Sequence, residues 1–191
     1  MPIFHNHAAT AFQARLQQLF TPADLYFIYA QDAAALATTA RSYTQAFVAS
    51  GAIKTLGMVD QHETGIVPYL SVRANLLING QTQPTDLIPQ AIQRDLMQLD
   101  EPAAALTPAQ SLYLQLFRGL FAGRRFLLMT DFPASMTLQE KRYFMNSATA
   151  AVRRTATSLL VLTTDTNLVA AHPGTSWWTA PDLAPLTADS H

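Results

Sequence analysis

Apolar residues follow two rhythms along this chain. Four short runs, Leu25–Ala30, Thr55–Asp60, Arg125–Thr130 and Ser158–Thr164, are nearly continuous. Continuous runs of that length suit strands covered on both faces, where every side chain meets a core. Elsewhere the apolar residues recur every three or four positions, as on one face of a helix. Phe12, Leu16, Leu19 and Phe20 form one such stripe. Leu36, Ala40, Tyr43 and Phe47 form a second, with Asp32 placed to cap its start and Gly51 to end it. Thr107-Pro-Ala-Gln110 and Thr137-Leu-Gln-Glu140 carry the capping-box pattern, the first with Pro at the opening helical position. They open helices that bring Leu112, Leu116 and Leu120 to the core and that run to about Arg154. Three of the four strands lead into a helical pattern, which predicts an α/β domain with a mostly parallel sheet flanked by helices.

Two stretches break this rhythm. Residues 62–106 are punctuated by Pro68, Pro84, Pro89 and Pro102 and read as a small helical insertion, with a short helix near 89–99. Residues 172–191 are weakly patterned and read as a loose C-terminal tail, with Trp177-Trp178 either pinning it to the core or forming a contact point. A length of 191 residues fits one domain spanning 1–191.

Composition narrows the chemistry. Cysteine is absent, so disulfides and thiolate nucleophiles or metal ligands are excluded. Charged residues are only 13% of the chain, which excludes a disordered acidic or basic tail protein. The net charge of −1 names no partner. No apolar run is long enough to span a membrane, and the N-terminus has neither a basic start nor an apolar signal stretch, so the expected location is cytoplasmic. Residues 118–154 hold seven basic residues (Arg118, Arg124, Arg125, Lys141, Arg142, Arg153, Arg154) against Asp131 and Glu140. Aromatics are not interleaved there as in single-strand binders, so a solvated face is expected rather than nucleic-acid binding. His5 and His7 have a spacing open to a metal but no third ligand, and His62, His172 and His191 are scattered. No Gly-x-Ser-x-Gly elbow is present.

Taken in order, five segments between residues 25 and 170 resemble the ATP-binding-cassette (ABC) ATPase domain, a P-loop NTPase-like fold. Gly57-Met-Val-Asp-Gln61 resembles the strand and glutamine of the Q-loop. Leu70-Ser-Val-Arg-Ala-Asn-Leu76 resembles the segment Leu-Thr-Val-Arg-Glu-Asn-Leu. Leu106-Thr-Pro-Ala-Gln110, followed by Arg118-Gly-Leu, resembles the signature Leu-Ser-Gly-Gly-Gln and its Arg-Ala-Leu. Phe126 through Asp131-Phe-Pro133-Ala-Ser135 resembles Walker B with its Asp-Glu-Pro-Thr-Ser. Leu159 through Thr164-Asp165 resembles the switch strand ending Thr-His-Asp.

The chemistry that the resemblance implies is mostly replaced. A phosphate loop needs Gly to bring backbone N–H groups around phosphate, and a Lys near the β- and γ-phosphates. The corresponding stretch is Ala30-Gln-Asp-Ala-Ala-Ala-Leu36-Ala-Thr38, with Ala for every Gly and Leu36 for the Lys. Phe132 stands for the water-activating Glu, and Thr164 for the switch His. Pro108 and Ala109 replace the signature glycines. The D-loop Asp position falls near Leu138, or at Thr137 if shifted by one. Another register would place Thr130 and Asp131 at the Walker B pair; keeping Pro133 and Ser135 aligned favours the first. The segment from Leu36 to Gln61 is too short for the hairpin that holds adenine and ribose in the family.

The resemblance therefore implies a non-catalytic ABC ATPase-like protein, a regulatory or structural partner of an intact ABC ATPase, a permease or a second copy of itself, peripheral to a membrane only through such a partner. No catalytic or metal site, no cofactor and no nucleic-acid partner are expected. The alternative is a nucleotide-binding protein that holds ATP or ADP with Mg²⁺ through Gln61 and Asp131 without meaningful hydrolysis. A second alternative is an unrelated α/β enzyme, recognisable by a deep cleft at the carboxyl ends of the strands lined by groups other than these motif positions.

Overall fold

A computed structural model describes residues 3–61, 65–78, 87–90, 92 and 102–184. Six helices and five strands lie among them: α1 (Ile3–Leu19), β1 (Leu25–Tyr29), α2 (Ala33–Ala49), β2 (Leu56–Val59), α3 (Val72–Leu77), α4 (Pro108–Phe121), β3 (Phe126–Thr130), α5 (Leu138–Thr155), β4 (Ser158–Thr163), α6 (Thr166–Ala171) and β5 (Ser176–Trp177). The strands form one sheet in the order β2-β3-β4-β1-β5. Every pairing is parallel.

The continuous apolar runs are explained by two cores, one on each face. On β1, Leu25 and Phe27 enter one core while Tyr26 and Ile28 enter the other. On β4, Leu159 and Val161 alternate in the same way with Leu160 and Leu162. Neighbouring side chains on a strand point to opposite faces, so a sheet covered twice needs no polar alternation. α1 and α2 cover one face with Phe12, Leu16, Tyr43 and Phe47. α3, α4, α5 and α6 supply the other, including Leu76, Leu112, Phe117, Phe144 and Val169. α4 sits close on the sheet because Gly119 and Gly57 both meet Leu127, and a Cβ on either would come within 2.5 or 2.7 Å of its Cδ2.

The topology fixes where a ligand crevice falls. From β1 the chain crosses by way of α2 to the edge strand β2, then returns through β3 and β4 by helices on the other face. The loop after β1 and the loops after β3 and β4 therefore diverge to opposite faces. In open parallel sheets that divergence opens a crevice at the carboxyl ends of the strands.

Two regions depart from the sequence expectation or exceed it. The stretch 172–191, expected to be loose, is tied down as far as Ala184. Phe27 and Ile28 of β1 pair with Ser176 and Trp177 of β5. The Tyr43 hydroxyl donates to Pro181 O at 2.9 Å, Arg15 donates twice to Asp182 O at 3.2 Å, and Leu183 is 3% exposed in the α1–α2 core. Leu183 and three hydrogen bonds to two backbone carbonyls, Pro181 O and Asp182 O, hold a segment that shows no sequence rhythm. Trp177 packs against that core, while Trp178 is exposed and tilted on Tyr29. Residues 185–191 lie outside the described residues.

Of residues 62–106, the described parts are α3, a 3-10 turn at Ala103–Ala105 and the loops around them. Asn75, fully buried, organises them: its amide donates to the carbonyls of Val67, Leu70 and Ser71, and its Oδ1 accepts from Val67 N. The helix expected near 89–99 falls almost entirely outside the described residues.

Candidate functional site

Every long strand ends at an aspartate. Asp32, Asp60, Asp131 and Asp165 follow β1, β2, β3 and β4 within three residues. The first three meet at one cleft of about 680 Å³, lined also by Ala33, Leu36, Ala37, Ala40, Gln61, Thr130, Phe132, Ala134 and Thr164. No lysine or arginine is among the lining residues. The repeated aspartate was a sequence signal of this rim, legible only once the strands are aligned side by side.

From Ala33 onward the segment corresponding to a phosphate loop is helix. α2 begins at Ala33, directly after Asp32, so Ala33-Ala34-Ala35 form its first turn. Asp32 caps it: Oδ1 accepts from Ala35 N at 2.8 Å, and the Asp32 carbonyl accepts from Leu36 N at 2.9 Å. The N–H groups of Ala35 and Leu36 are therefore already committed. Leu36 turns toward the α1–α2 core and lines the cleft with methyl groups.

Asp131 is held by its neighbours on the sheet. Its Oδ1 accepts from Phe132 N at 2.8 Å and from Thr163 Oγ1 at 3.3 Å. Its Oδ2 accepts from Thr164 N at 3.4 Å and Thr164 Oγ1 at 3.1 Å. The residue standing for the switch His is thus tied to the residue standing for the Walker B Asp. Gln61 is exposed at the end of β2 and lines the same cleft. Asp60, 6% exposed, is fixed through its backbone: Gln115 accepts from Asp60 N and donates to Asp60 O at 2.7 Å. Arg118 stands behind it, its pKa lowered by burial and by Arg124 while Asp60 opposes both.

Phe132 is 6% exposed, meets Phe144 edge-on at 5.8 Å, and has the Lys141 ammonium over its ring. It forms a wall of the α4–α5 core and offers no proton acceptor. The signature-like segment is a closed capping box: Thr107 N donates to Gln110 Oε1 at 2.9 Å and Gln110 N to Thr107 Oγ1 at 3.3 Å. α5 opens on a second, Thr137 with Glu140, whose carboxylate pKa is lowered by the hydrogen bonds from the Thr137 backbone and hydroxyl.

Among the described lining residues the cleft offers a magnesium nucleotide carboxylates, the Gln61 amide and two threonine hydroxyls, with no basic side chain for its phosphates. A phosphate set directly against these carboxylates is repelled, and a Mg²⁺ between them would reverse that sign. A helix N-terminus returns only about 0.3–1 kcal/mol. Among the described residues no three acidic or histidine groups are arranged to hold a metal ion. His5 and His7 lie in α1 with side chains outside the described residues, as are His62 and His191, and His172 is stacked on Phe27 with Nδ1 against Leu168 O.

The sequence matches no known protein-family model, and no curated protein matches it. Among solved structures the chain is similar to a putative ABC transporter ATP-binding protein from Pyrococcus furiosus, at 10% identity and a TM-score of 0.56, covering 74% of this chain and 78% of that one. That likeness shows the fold: a parallel sheet flanked by helices of the P-loop NTPase-like, ABC ATPase-like kind. No helix among the described residues is long and apolar enough to cross a membrane.

Proposed function

We propose that this protein is a non-catalytic ABC ATPase-like domain that works by binding another protein, as a regulatory or structural partner in an ABC transporter system or a similar complex. One observation carries the reading. The cleft at the carboxyl ends of the strands has the first turn of α2 where a phosphate loop would stand, and it is rimmed by Asp32, Asp60 and Asp131 with no lysine or arginine among its described lining residues. The groups that would turn over nucleotide are recruited to structure instead: Phe132 to the core, Thr164 to Asp131, Thr107 and Gln110 to each other. The partner would be an intact ABC ATPase, a permease or a second copy, and no cofactor is required.

Isothermal calorimetry with Mg·ATP and Mg·ADP tests the reading, with thermal unfolding as a second readout. The expected result is no saturable heat and no rise in Tm up to about 1 mM nucleotide. A ligand at about 100 times its Kd would add about 2.7 kcal/mol of stability and be visible in the melt. Saturable micromolar binding that Asp131→Asn removes would replace this reading with a nucleotide-holding protein that uses Asp131 and Gln61.

A further inference from the structure

The same cleft has a shape and charge that point to an occupant. Its floor is a strip of α2, Ala33, Leu36, Ala37 and Ala40, spaced along one helix face and continued by Phe132. Small side chains make this strip a shallow apolar trough rather than a ridge. Its charged lining is acidic, Asp32, Asp131 and the buried Asp60, the last with Arg118 behind it. Asp32 is exposed, and only its Oδ1 is engaged, by Ala35 N.

We infer that this cleft seats a short segment of a partner protein in which an arginine or lysine is flanked by apolar residues, an inference that rests on nucleotide not occupying the site. Charge complementarity selects the occupant. An acidic rim without a lysine or arginine favours a cation and disfavours phosphate and acidic peptides. A bare divalent ion is a poor match, because both Asp131 oxygens already accept two hydrogen bonds each. A small free amine would leave the trough of α2 uncovered. A peptide segment meets both demands, its aliphatic side chains on Ala37 and Leu36 and its guanidinium or ammonium toward Asp32 and Asp131. A guanidinium is the better fit, being planar and weakly hydrated, with Asp32 Oδ2 as its hydrogen-bond acceptor and Asp131 attracting it through charge alone.

The test uses the full chain and a fluorescein-labelled peptide of sequence Ala-Leu-Arg-Lys-Leu-Ala, read by anisotropy at about 50 mM salt, where exposed charge pairs are weakly screened. The control peptide carries Glu in place of Arg and Lys. Saturable binding of the basic peptide alone is expected, weakened at least about 5-fold by Asp32→Asn, which keeps the helix cap. Leu36→Lys, which puts a cation in the trough, is expected to weaken it at least about 10-fold, about the effect of one charge pair in a partly shielded site. Equal binding of both peptides would overturn the inference, as would basic-peptide binding unchanged by the two variants with their melts intact. A dimer of the peptide-free protein that Asp32→Asn dissolves would place a second copy in the cleft and also overturn it. Mg·ATP titrated into the same preparation separates the two claims. No peptide binding and no nucleotide binding defeats this inference alone, whereas saturable nucleotide binding defeats the reading beneath it.

Discussion

On β4 the six residues Ser158–Thr163 are all buried, whereas Thr164, the next residue, is exposed and bonded to Asp131. β3 shows the same boundary, with Phe126–Met129 buried and Thr130 and Asp131 at the half-open rim. Within two residues the strands pass from a region where packing decides every side chain to one where the family's chemistry would be decided. The middle of the sheet keeps the size and order of side chains that the fold requires. At the carboxyl edge the side chains that line the cleft are satisfied locally, by a helix cap, a core contact or a hydroxyl. A fold is retained by its buried volume, and nothing in that volume depends on a lysine or a glycine at the rim.

The sharpest way to break this contrast is at the centre. Leu160→Ala removes a side chain that is 0% exposed in the α1–α2 core and should cost about 3–5 kcal/mol, much of a typical domain's stability of about 5–15 kcal/mol. Urea unfolding followed by circular dichroism checks it. A loss under about 1 kcal/mol would mean that this core is not close-packed.

At the edge the expected loss is smaller. Asp131→Ala leaves the Thr163 and Thr164 hydroxyls and two backbone N–H groups without their acceptor, all at a half-open site where water can replace it. A cost of about 1–2 kcal/mol follows, measured by the same unfolding curves. A neutral result would show that Asp131 is not held for structure and would return it to the list of ligand-binding groups.

The smallest effect separates the two capping boxes, which differ by one charge. The Glu140 carboxylate is lowered below its ordinary pKa by the Thr137 hydrogen bonds, so the ionised form stabilises the fold. That contribution is present above the ordinary carboxylate range and is lost as pH falls through the lowered pKa. Gln110, in the equivalent position of α4, has no such dependence. Glu140→Gln should therefore leave the melt at pH 7 nearly unchanged and flatten the acid side of the curve of Tm against pH below about pH 4.5. An acid limb identical to that of the parent protein would show that Glu140 contributes nothing through its charge.

Much of the framework was legible in the sequence for reasons visible in the structure. The four apolar runs became β1 to β4, because a strand buried on both faces has no other pattern available. Asp32, Thr107 with Gln110 and Thr137 with Glu140 cap helices as their spacing predicts, since a cap is a contact between residues three apart. The parts that were not legible depend on distance along the chain. The tie between Asp131 and Thr163 spans 32 residues, and that between Tyr43 and Pro181 spans 138. β5 is two residues long and carries no periodicity. Gln61 and Asp131 were singled out from resemblance, and both do line the cleft, but the hydroxyl donors of Thr163 and Thr164 and the acidic company of Asp32 and Asp60 follow only from the strand order.

The placement of β1 has a consequence for the order in which the molecule can assemble. It precedes the other described strands of the sheet in the chain, yet its two neighbours are β4 and β5, with Leu25 opposite Leu159 and Ile28 opposite Trp177. A ribosome adding about 5–20 residues per second needs several seconds to travel from β1 to β4. Throughout that interval Leu25–Tyr29 has no strand to pair with, and the face it shares with α1 and α2 still lacks Leu160, Leu162 and Leu183. Pairings so far apart in sequence also slow the search for the native state once the chain is whole. The nascent chain therefore presents an unpaired apolar strand early and closes over it last, which makes β1 the segment that a chaperone would have to shield until β4 and β5 arrive.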